Sequence, residues 1–126
     1  MMARSNFGYY KSGWEKKVAN NLVEAKIPFY YESVKFPIHN FFYTPDFLLS
    51  RLRICGKNVI LEPHGLMNRE DIQKFTLFRR HYGDDFLLVL LTKNDTIPFV
   101  PKETCDCIWP IEYSDLLMKR MKSNRL

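Results

Sequence analysis

The chain contains no apolar run approaching the roughly 20 residues needed to span a bilayer. Its first ten residues carry no hydrophobic segment of the kind that directs secretion. Both absences argue against a membrane role and make a cytoplasmic protein the expectation. Cysteine is sparse: Cys55, Cys105 and Cys107 are an odd number without framework spacing, which argues against a disulfide scaffold. Cys105 and Cys107 are separated by one residue, not by the two of a zinc knuckle. A zinc site from this pair, Cys55 and a histidine is left as a minor structural alternative. Repeats, low-complexity tracts and a second composition are all missing, so residues 1–126 read as a single domain.

What is present fits a soluble fold. A chain of 126 residues can bury a real core. The net charge of +5 is compatible with a polyanionic partner without requiring one. The excess lies in Arg51, Arg53 and Lys57, in Arg79 and Arg80, and in a tail with Lys119, Arg120, Lys122 and Arg125. Each cluster reads equally well as a solvated face.

Patterning predicts a helix over 12–26. Ser12 is the N-cap, and Glu15 follows at capping-box spacing. Trp14, Val18, Ala19, Leu22 and Ala25 supply the apolar stripe. Glu15 itself lies along that stripe, so its carboxylate either closes the cap or points inward toward a metal. An aromatic strand over 29–36 and a loop over 37–40 follow. Strands are expected over 41–49 and 57–63, joined by a polar turning segment over 50–58. A second helix starts at an Asn68 cap, carries Ile72, Phe75, Phe78 and Tyr82 inward, and stops at Gly83. Lys74 lies at the margin of its stripe. The unbroken apolar run within 85–92 marks a strand covered on both faces, flanked by the two helices. A short strand over 106–109 and a helix with Tyr113, Leu116, Leu117 and Met121 inward complete the chain.

The stretch from Thr44 to Gly65 organises the rest. Asp46 and Glu62 interrupt apolar strand runs, where an unpaired charge is costly. On neighbouring antiparallel strands the two carboxylates converge on one point and suit one divalent cation. Glu62 and His64 share a strand face because side chains two apart point the same way.

Pro45-Asp46 on one strand and Glu62-Pro63-His64 on the next resemble the PD-(D/E)XK nuclease superfamily. The run Glu62-Pro63-His64-Gly65, followed by a helix with Lys74, is similar to its small branch related to very-short-patch repair nucleases. The resemblance covers residues 12–92 and implies an α/β fold: a restriction-endonuclease-like αβββαβ core whose central mixed sheet is flanked by helices. It further implies a metal-dependent endonuclease acting on DNA. Asp46 and Glu62 would bind Mg²⁺ or Mn²⁺ with the Leu61 or Pro63 carbonyl, and Glu15 would be the accessory acid. Where the family has a lysine, this chain has His64. Either Lys74 supplies the cation from the next helix, or His64 acts as base or ligand, or activity is lost. In the last case the chain is a nuclease-fold module that binds nucleic acid or a protein. Arg51, Arg53, Arg79 and Arg80 would grip phosphates, and Tyr9, Tyr10 or Tyr43 would stack on bases. Cutting both strands implies a homodimer.

Overall fold

The structure is a computed structural model, described here for residues 10–126. Helix α1 (Gly13–Glu24) is capped by Ser12, whose side chain accepts from the Glu15 amide. A short β1 (Tyr30–Tyr31) and a two-stranded ribbon of β2 (Phe36–Ile38) and β3 (Phe41–Tyr43) follow. Then come β4 (Phe47–Ile54), β5 (Lys57–Pro63), α2 (Arg69–Tyr82), β6 (Phe86–Thr92), β7 (Cys107–Pro110) and α3 (Ser114–Lys122), with short 3₁₀ turns around β7.

The main sheet has the order β1-β4-β5-β6-β7. Strands β1, β4 and β5 pair antiparallel, whereas β5, β6 and β7 run parallel, so the sheet is mixed. The continuous apolar run of β6 has the predicted cause. Leu87, Val89 and Leu91 pack on one face with Val18, Ala19 and Leu22 of α1 and Leu117, Met118 and Met121 of α3. Leu88 and Leu90 pack on the other with Phe75 and Phe78 of α2 and with Tyr43. The expected central mixed sheet flanked by helices is present.

Three boundaries differ from expectation. The 29–36 strand is only two residues long, because Glu32 turns the chain with φ 48. The 41–49 strand is split between two sheets at Thr44 and Pro45, where proline cannot donate to a ladder. The polar 50–58 segment is mostly strand, and the reversal is confined to Cys55 and Gly56, both at positive φ. Ser50, Arg51 and Arg53 read as loop because they face solvent, and a register shift between Leu49 and Arg53 absorbs the change. In α3 the buried stripe is Leu117, Met118 and Met121; the expected Tyr113 and Leu116 are exposed.

Candidate active site

Glu62 lies near the end of β5, in the middle of the sheet, and is 5% exposed. A buried carboxylate needs donors. The Tyr43 hydroxyl donates to its Oε1 at 2.7 Å, and the Asp46 amide donates to the same oxygen at 3.2 Å. Burial nevertheless holds the Glu62 carboxyl above its ordinary range, against the lowering effects of Tyr43, the Asp46 amide, Lys74 and His64. Burial, and then the charge of Glu62, likewise pushes the Tyr43 hydroxyl well up.

Asp46 immediately precedes β4. Phe47 pairs with Leu61 and Leu48 with Ile60; one step further, the same register sets Asp46 opposite Glu62. Asp46 is also buried, and its carboxyl is raised first by that burial, then by the charges of Glu62 and Glu15, with Glu62 hydrogen-bonded to it as well. Two carboxylates in contact out of water cannot both ionise freely.

A second group of acids meets Asp46 from the other side. One carboxylate oxygen each from Glu15, Glu32 and Asp46 lie within 4.8 Å of one another. The Glu15 carboxylate leaves the cap half-formed. Instead of returning to Ser12, it accepts from the Tyr31 hydroxyl and from the Lys11 amide at 3.2 Å. Of its two readings, the inward one describes its position. Glu32 was missed by the sequence reasoning. It follows an aromatic strand without any motif, and it reaches the cluster because its amide donates to the Asp46 carbonyl at 3.0 Å, extending the β1–β4 pairing. Lys11 Nζ lies 3.1 Å from Glu32 Oε2.

His64 and Lys74 occupy different places. The His64 amide continues the parallel ladder by donating to the Leu91 carbonyl at 2.7 Å. Its ring turns to α2, with Nε2 2.9 Å from Asp71 Oδ2 and the ring edge-on to Phe75. Asp71 also closes the capping box of α2 with Asn68, so one carboxylate serves helix and histidine together. Lys74, half-buried in α2, rests over Tyr43 and Phe75, with Nζ 5.6 and 5.0 Å from the ring centroids. No carboxylate among the described residues lies within ion-pairing distance of Lys74.

The arginines are dispersed. Arg79 donates to Asp106 Oδ1 at 2.8 Å and to the Glu103 carbonyl at 3.1 Å, tying α2 to the segment before β7. Arg80 is exposed beside it. Arg51 and Arg53 are exposed toward the β4–β5 turn, and Arg53 donates to the Gly56 carbonyl at 2.6 Å. At about 3.3 Å per strand residue they stand roughly 16–23 Å along the chain from Asp46. Tyr10 and Tyr43 are buried and unavailable for stacking, and Tyr9 lies outside the described residues. All three cysteines are free, with Cys55 at the hairpin turn, and no cysteine joins a metal-ligating group among the described residues.

Residues 2–105 match the phage endonuclease I family, and the chain belongs to that family. It is similar to Endonuclease I of Escherichia phage T7, with 31% identity over 93 residues, which is 71% of this chain and 58% of that relative. The chain therefore spans less than two thirds of the relative's length.

Proposed function

We propose that the chain is a metal-dependent endonuclease of the PD-(D/E)XK type that hydrolyses phosphodiester bonds in DNA. The observation that carries this reading is the convergence of Asp46 with Glu62 on one side and with Glu15 and Glu32 on the other. Such a set of mutually repelling oxygen donors, with Asp46 and Glu62 buried and Glu15 and Glu32 half-buried, is costly alone and suits a hard cation, Mg²⁺ or Mn²⁺. Asp46 and Glu62 would hold the ion, with Glu15 and Glu32 beside them. What such an ion supplies is a bound water of lowered pKa and neutralisation of charge developing on the phosphate.

The remaining steps fall to the chain's own residues. Tyr43 and the Asp46 amide fix Glu62 Oε1. Tyr31 and the Lys11 amide aim Glu15. Lys74 supplies the positive charge that the family's missing lysine would bring to the scissile phosphate. Its charge lowers the Glu62 carboxyl, which supports that role. His64, held by Asp71, positions the strand end and α2. Exposed Arg51, Arg53 and Arg80 add phosphate affinity away from the reacting centre, whereas Arg79 serves through its tie to Asp106. Cleavage of both strands needs two such sites, so a homodimer belongs to this reading, as does action in the cytoplasm, where free thiols persist.

One observation favours the second reading, a nuclease-fold module that binds without cutting: His64 replaces the lysine and is engaged by Asp71. The test is a cleavage assay with Mg²⁺ and with Mn²⁺ on linear, branched and mismatched DNA, with Asp46→Asn as control. Metal-dependent cutting that Asp46→Asn abolishes supports the enzyme. Binding of the same DNA without cutting in either metal establishes the module.

A further inference from the structure

At the end of α2 remote from His64, His81 faces His39 with their Nε2 atoms 3.4 Å apart. The rings are nearly perpendicular, at 87°, with centroids 4.8 Å apart. His81 lies in the last turn of α2, and His39 is the first of the two residues linking β2 to β3. Both are exposed. His39 has φ 51, a left-handed conformation that favours glycine or asparagine. Histidine is tolerated at such a position, and its ring nitrogen is brought to a second imidazole 42 residues away, which points to a use beyond the turn.

We propose that His39 and His81 form a two-imidazole site for a borderline divalent transition-metal ion such as Zn²⁺. Two imidazole nitrogens bound at about 2.0–2.1 Å to one tetrahedral zinc stand roughly 3.3–3.4 Å apart. The observed separation is that bite. The carbonyl end of α2 adds negative potential that favours a cation there. Water fills the remaining positions on this open surface. The neighbouring Tyr82 hydroxyl already donates to the Pro37 carbonyl at 2.6 Å, tying the same ribbon to the same helix end. The ion completes that clamp, and the ribbon it steadies ends at Tyr43, the donor to Glu62. Imidazole selects a different class of metal from the carboxylates around Asp46, so the proposal stands independently of the nuclease reading.

The test is a calorimetric Zn²⁺ titration of the full chain in excess Mg²⁺, with visible absorption of the Co²⁺ form as the coordination signature. Outer-shell partners are typically worth about 10–100-fold in metal affinity, so losing one of two ligands should cost at least that. His39→Asn keeps a residue suited to the turn, and His81→Gln keeps a polar helix residue. Each should weaken Zn²⁺ binding to this degree and remove the tetrahedral Co²⁺ bands, with unchanged circular dichroism, while Cys105→Ala binds as the parent does. Parent-like affinity in both histidine variants, or a parent protein that takes up neither ion, would overturn the proposal and leave a plain imidazole–imidazole hydrogen bond.

Discussion

Among single residues, Asp46 carries the most unfavourable position. Its folded carboxyl is raised above the ordinary value of 3.8 by burial and by Glu62 and Glu15. The folded state therefore binds more protons than the unfolded one, and this group withdraws stability as pH climbs from about 4. Asp46→Asn removes that cost. In metal-free buffer at neutral pH the variant should melt higher than the parent, with a flatter dependence of Tm on pH, and it should cut no DNA. A lower Tm would mean that the acid is not strained. The exchange of lysine for histidine is tested at the same scale. Lys74→Ala should reduce single-turnover cleavage by about 10²–10³, the usual worth of one preorganised charge at a reacting centre. His64→Ala, which removes an imidazole held by Asp71, should leave measurable activity. The reverse ranking would move the catalytic cation to His64.

At the level of elements, two turns set the register that the site depends on. The β4–β5 reversal uses Cys55 at φ 56 and Gly56 at φ 76. A two-residue hairpin with both residues left-handed favours Asn-Gly, and a non-glycine residue there costs about 1–2 kcal/mol. Cys55 is exposed, so Cys55→Asn loses no packing. Chemical denaturation should show a gain of about 1 kcal/mol with cleavage unaltered. The start of α2 depends on Asp71. Burial would raise this carboxyl, but the Asn68 amide and His64 outweigh it and leave it lowered. Its contribution is thus present above the unfolded value of 3.8 and lost as pH falls through the folded one. Asp71→Asn should flatten the acid limb of the stability curve below about pH 4. An acid limb matching the parent's would show that the carboxylate adds nothing there.

Across the whole molecule, the proposed ion site would link metal binding to folding, because its carboxylates come from α1, the end of β1, the start of β4 and β5. A ligand that binds only the native state at a hundred times its Kd adds about 2.7 kcal/mol. For a domain of this size that is a Tm increase on the order of 10 °C. Saturating Mn²⁺ should raise the parent Tm to about this extent, and Asp46→Asn should lose most of the increase. Equal shifts in both proteins would place the ion elsewhere. No helix among the described residues is long and apolar enough to cross a membrane.

Local pattern alone determined a good part of this protein. The caps at Ser12 and Asn68, the helix stripes, the doubly covered β6 and the pairing of Asp46 with Glu62 follow from periodicity and turn chemistry, which act within a few residues. Only the tertiary structure decided the rest. Glu32 joins the site through the β1–β4 edge, Tyr43 leaves any stacking role to donate to Glu62, and the His64 ring is turned aside by Asp71. Each of these contacts joins segments brought together by strand order and helix packing. Sheet order is set by burying both faces of β6 at once, a condition on the whole chain that no window of sequence contains.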